Sequence, residues 1–137
     1  MRRLALVVLL GVVAGVVAFG AVTLWALEGR EVALLRTITP DGDVRETRVW
    51  IAEDDGAWWV EAATPEREFL RDIVSEPTVE VERDGVASRR MAVPDFSPAG
   101  HERIRGLLRA RYGVADVWVG LLTDTSRSVA IRLDEPE

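Results

Sequence analysis

Arg45, Arg48 and Arg67 stand where an anionic group can be held. Arg45 and Arg48 fall in an alternating run over 44–52 that predicts a strand, with the two guanidinium groups on opposite faces. Arg67 follows Thr64-Pro65, a capping residue and a first-turn proline that together predict a helix start. Guanidinium is a planar fork that matches phosphate or carboxylate oxygens. A helix start adds unpaired backbone N–H groups and the positive end of the dipole. A phosphate group between that helix and the strand is one chemistry this spacing allows. Glu66 and Glu68 share the same turn, where their ordinary role is to complement the dipole, and they would repel an anion. Trp50, Trp58 and Trp59 offer flat faces for a ring system, with barrel core as their ordinary role.

Groups for covalent or acid–base catalysis are scarce. The chain has no Cys, which excludes a thiol nucleophile, a disulfide framework and a zinc finger. Its one imidazole, His101, is too little for a histidine metal cluster and is expected to face solvent in the first turn of an Arg-rich helix. No nucleophile-elbow or glycine-rich phosphate loop occurs, and the carboxylates are scattered along turns and strand faces. No catalytic residue is assigned, and no metal is expected.

The elements that must position these residues divide unevenly. Residues 4–27 are uncharged, with Thr23 their only hydroxyl. As a helix they span about 36 Å, enough to cross a hydrocarbon core of about 30 Å. A cleaved signal peptide has a shorter apolar region, so a retained transmembrane helix is expected, in a unit covering 1–30. Arg2 and Arg3 precede the span and favour a cytoplasmic N-terminus, although Arg30, Arg36 and Arg45 lie near the other end. Gly11 and Gly15 match a helix-pairing spacing that composition alone also explains, and Trp25 suits the interfacial belt.

Without residues 1–27 the chain holds 15 Arg against 23 carboxylates, a net charge of about −8 rather than the −6 of the whole. Such acidity argues against a nucleic-acid partner. The length allows one ordinary domain, taken as 31–137. Alternation and turn residues predict strands over 31–37, 44–52, 57–63, 78–83, 86–93 and 128–133. Pro40-Asp41-Gly42, Asp54-Asp55-Gly56 and Asp84-Gly85 supply turns. One helix is expected after Thr64-Pro65, a second after Ser97-Pro98 ending near Gly113, and a third, short one over 115–122. The fold class is therefore α+β: an N-terminal transmembrane helix, then a six-stranded antiparallel barrel with two or three helices.

The order of these segments carries a resemblance. The run Glu31-Val-Ala-Leu-Leu-Arg-Thr, an Asp-Gly turn and Arg45-Glu-Thr-Arg-Val-Trp-Ile resemble the first hairpin of the split β-barrel flavin-binding superfamily. Asp55-Gly-Ala-Trp-Trp-Val, Glu68-Phe-Leu-Arg-Asp-Ile, Pro77-Thr-Val-Glu-Val, Arg111-Tyr-Gly-Val-Ala-Asp and Ser126-Arg-Ser-Val-Ala-Ile-Arg-Leu continue it. Within the superfamily, the chain looks most like the nitroreductase-like, deazaflavin-dependent quinone reductases. The resemblance implies a split barrel, often a homodimer, binding a deazaflavin (coenzyme F-420) or FMN and passing a hydride to a quinone or nitro-type acceptor. Carried over to this sequence, the cofactor-binding positions are Arg45, Arg48, Ala63, Thr64 and Arg67, and Trp50 joins them as a face on which the ring system could stack. Two departures define an alternative. The first hairpin turn, 39–43, has no cation, and Thr64-Pro65-Glu66-Arg67-Glu68 replaces a glycine-rich stretch. The alternative is a catalytically silent, membrane-tethered split-barrel module for binding or assembly.

Overall fold

The computed structural model describes residues 2–28 and 32–136, with side chains over 4–25 and 32–136. The boundary expected at 30/31 lies outside the described residues. Helix α1 (Arg2–Glu28) contains the stretch Leu4–Trp25, long and apolar enough to cross a membrane and with none of it buried in the protein. Six antiparallel strands follow: β1 (Val32–Ile38), β2 (Val44–Asp54), β3 (Ala57–Ala62), β4 (Thr78–Arg83), β5 (Val86–Asp95) and β6 (Val129–Asp134). They close into a barrel in the order β1-β2-β3-β6-β5-β4. Helix α2 (Glu68–Ser75) lies between β3 and β4, while α3 (Pro98–Tyr112) and α4 (Val114–Leu122) lie between β5 and β6. The expected fold class is the observed one.

Period-two alternation sorts the strand residues between two cores. Ala33, Leu35, Val49, Ile51, Val60, Val81, Ile131 and Leu133 fill the barrel, and Phe69, Leu70 and Ile73 of α2 pack against them. The opposite faces of β2, β3 and β6 contribute Ala52, Trp59 and Ala130 to a second core with Ile104, Leu108 and Tyr112 of α3. The tryptophans therefore divide. Only Trp58 packs against the barrel interior; Trp59 belongs to the second core, and Trp50 stacks on Tyr112 with centroids 4.4 Å apart and planes 13° apart. The expectation that two or three of them fill the barrel is corrected, because Trp59 and Trp58 are consecutive and a strand turns them to opposite faces.

Local chemistry sets the turns. Asp55-Gly56 and Asp84-Gly85 all have positive φ, the backbone of a two-residue hairpin that matches strand twist. Ser97 caps α3 by accepting the Gly100 N–H at 3.0 Å, with Pro98 in the first turn, as its sequence predicts. Thr64-Pro65 behaves differently: it forms a turn in which the Arg67 N–H donates to the Thr64 carbonyl at 3.2 Å, and α2 starts only at Glu68. The chain leaves β3 at Ala62 and must turn before a helix can lie over the barrel. The local start signal is spent on that turn.

Candidate functional site

A cavity of about 380 Å³ opens on the outer side of β2, between β3, α2 and α3. Arg48 and Trp50 reach it from the outward face of β2, Glu61 from β3, Ala63 and Arg67 from the connection into α2, and Phe69 and Leu108 from α2 and α3. Their convergence has simple causes. Arg48 and Trp50 share a face because they are two residues apart on a strand. Arg67 comes alongside because the turn at 64–67 folds the chain back at the barrel rim.

The floor under Trp50 is built by Tyr112. Its hydroxyl donates to the Ile51 carbonyl at 3.0 Å and accepts from the Ile51 N–H at 3.1 Å. The described β1–β2 pairing reaches Val32 opposite Trp50, and the phenol satisfies both backbone groups of the next residue, Ile51. One face of Trp50 is thereby fixed against the last turn of α3.

The described lining of the cavity carries both cationic and anionic side chains. Among the described residues, Arg48 and Arg67 line it with guanidinium groups and Glu61 with a carboxylate. Glu61 accepts two hydrogen bonds from Arg105, at 2.9 and 3.1 Å, and Arg105 also donates to both oxygens of Asp116, at 2.7 and 2.8 Å. Burial works against the charge of Arg105, but Glu61 and Asp116 outweigh it and hold the guanidinium above its ordinary pKa. Glu66 and Glu68 do not line the cavity. Glu66 accepts from Arg127 at 2.7 Å, which lowers its pKa, and Glu68 accepts from Arg45 at 2.7 Å. The cavity can thus accept an anionic group on its cationic side and a flat apolar group beside Trp50.

Of the six positions singled out in the sequence, Arg48, Trp50, Ala63 and Arg67 line one cavity, and Thr64 adjoins it in the turn. Arg45 does not line it. Its Nε donates to Asp72 at 2.7 Å, and the hydrogen bond to that carboxylate is the main reason its pKa is raised. Asp72 in turn accepts from Thr37 Oγ1 at 2.8 Å. Sequence reasoning missed Glu61, Tyr112 and Leu108. Alternation puts Glu61 and Trp59 on one face of β3, but only the placement of α3 reveals what that face meets. His101 is also corrected: it is half-buried, with Nδ1 2.9 Å from Ser128 Oγ and 3.2 Å from the Ser128 carbonyl oxygen. Packing of α3 across β6 covers it.

No protein-family model matches the chain, and no curated protein matches it. Solved structures do share its fold. A conserved hypothetical protein from Mycobacterium tuberculosis superposes with a TM-score of 0.63 at 19% identity, covering 86% of this chain and 80% of that one. An F420 reductase gives 0.59 at 22% identity, covering 83% and 93%. An FAD-binding protein from Mesorhizobium loti gives 0.61 at 16% identity, covering 82% and 86%. The six-stranded part of the chain therefore has the split β-barrel fold of these proteins.

Proposed function

We propose that the barrel binds a deazaflavin (coenzyme F-420) or FMN in the cavity beside β2 and works as a membrane-anchored oxidoreductase toward quinone or nitro-type acceptors. The observation that carries this reading is the convergence of Arg48, Arg67 and Trp50 on one cavity of an otherwise acidic domain. Neighbours of the same fold, an F420 reductase and an FAD-binding protein, support a flavin-type ligand. When bound, such a group supplies hydride transfer. Arg48 and Arg67 would hold its phosphate, with backbone groups of Ala63 and Thr64 beside them. Trp50, braced by Tyr112, would bound the ring system, and Phe69 and Leu108 would exclude water. The apolar stretch Leu4–Trp25 would keep the barrel close to lipid-soluble quinones. The family resemblance adds a homodimer, which sedimentation of the detergent-solubilised chain tests.

Binding is the direct experiment. Titration of the purified chain with oxidised and reduced coenzyme F-420 and FMN should quench tryptophan fluorescence. Arg48→Ala and Arg67→Ala should each raise Kd about tenfold or more, as loss of a charge-assisted bond of about 1.5–3 kcal/mol requires. Absence of binding at submillimolar cofactor would sink this reading. The tethered module without cofactor would then stand. The specific observation favouring that second reading is the first hairpin turn, where Asp41 and Asp43 are exposed and no cation is present between Thr39 and Asp43.

A further inference from the structure

We propose that α4 is a second membrane contact: a helix lying in the bilayer interface beside the end of α1, with Val117 and Leu121 among lipid chains. This rests on reading α1 as a membrane span. Its sequence, Val-Ala-Asp-Val-Trp-Val-Gly-Leu-Leu, contains one charge, Asp116. That carboxylate is 2% exposed and turned into the domain, where Arg105 neutralises it. The outward face is apolar: Val114 is 74% exposed, Val117 58%, Leu121 76% and Leu122 49%. A contiguous apolar face of this kind on a helix marks a contact with lipid or another protein.

The position of α4 selects lipid. Trp118 Nε1 donates to Thr23 Oγ1 at 3.1 Å, and its ring lies 5.3 Å from that of Phe19. Thr23 and Phe19 are about 7 and 14 Å along the helix from Glu28, where α1 ends. Whatever medium surrounds that part of α1 also surrounds α4. If Leu4–Trp25 spans a bilayer, α4 sits at its boundary with water, the depth at which amphipathic helices lie in the plane. Arg109, exposed in the last turn of α3 just before α4, carries a cation on a long apolar stem that can reach headgroup phosphates.

The absence of Cys makes each introduced thiol unique. Val13→Cys, Asp41→Cys, Val117→Cys and Leu121→Cys, each in the full chain, would be spin-labelled and reconstituted in phosphatidylcholine–phosphatidylglycerol vesicles. Collisions with oxygen, which concentrates in hydrocarbon, are compared with collisions with a water-soluble nickel chelate. Labels at Val13, Val117 and Leu121 should meet oxygen several-fold more than the chelate, and the label at Asp41 the reverse. Labels at Val117 and Leu121 in water, with Val13 in lipid, would overturn the α4 contact and leave the anchor standing. All four in water would remove the anchor and the α4 contact together. Spin–spin broadening at Leu121 that disappears on dilution with unlabelled chain would assign the face to a second copy, also against the proposal.

Discussion

Arg45 Nε lies 2.7 Å from an Asp72 carboxylate that is only 2% exposed, and its Nη1 lies 2.7 Å from Glu68. Removing Arg45 would leave a buried charge with Thr37 Oγ1 as its remaining side-chain donor. Such losses cost about 3–5 kcal/mol for a fully buried pair. Arg45 keeps 32% of its side chain in water, so the loss here is smaller than for a fully buried pair. Arg45→Leu is therefore expected to lower the denaturant midpoint measurably while leaving cofactor affinity of the folded protein near wild type. Arg48→Ala should do the opposite. An Arg45 variant that folds as stably as wild type but binds cofactor poorly would return Arg45 to the binding site. Alternation alone placed Arg45 and Arg48 on opposite faces of β2. What it lacked was Asp72, 27 positions away, on a helix whose register over the barrel is a tertiary property.

At the scale of elements, α3 positions Leu108 and Tyr112, and its start is held by Asp95. The Ser97 N–H donates to Asp95 Oδ1 at 2.9 Å, and Ser97 Oγ accepts from Gly100. A Cβ on residue 100 would lie 2.4 Å from Asp95 Cγ, so only glycine lets the carboxylate sit there. The bonds from Ser97, side chain first and then backbone, lower the Asp95 pKa below its ordinary 3.8. A carboxyl group whose pKa is depressed by folding adds stability above its unfolded pKa and loses it as pH falls through the folded value. Stability measured by urea unfolding should accordingly drop below about pH 4, and Asp95→Asn should flatten that part of the profile. An unchanged profile in Asp95→Asn would show that the Asp95–Ser97 contact carries none of it. The start of α3 was legible because Ser97 and Pro98 act within one turn. Thr64-Pro65 has the same local form and made a turn instead, because the end of β3 at the barrel rim decides where α2 can begin. Glu61 was illegible as a site residue for the same reason: its partner Arg105 comes from another element.

The whole molecule joins an acidic domain, with two arginines lining its cavity, to a helix that is uncharged over residues 4–27. Its excess acid is partly paired off: Arg36 takes Glu46, Glu80 and Glu82, Arg105 takes Glu61 and Asp116, and Arg127 takes Glu66. Net charge therefore says little about the cavity, whose described lining includes Arg48, Arg67 and Glu61. It says little about sidedness either. Membrane orientation follows Arg and Lys near the ends of a span, with carboxylates counting for little. Arg2 and Arg3 precede the candidate span Leu4–Trp25, and Arg30, Arg36 and Arg45 follow it within the distance over which the rule operates, about 15–20 residues. Charge is close to balanced, so the chemistry decides. A barrel that takes a reduced deazaflavin or flavin from the cytoplasmic pool must face that pool. The proposed oxidoreductase thus predicts a cytoplasmic C-terminus: a reporter fused after Glu137 that works only in the cytoplasm should be active, and one that works only outside should be silent. The reverse result would separate the barrel from its source of reducing equivalents and favour the tethered module. It would leave the α4 contact untouched, since α4 follows the end of α1 on whichever side that end lies.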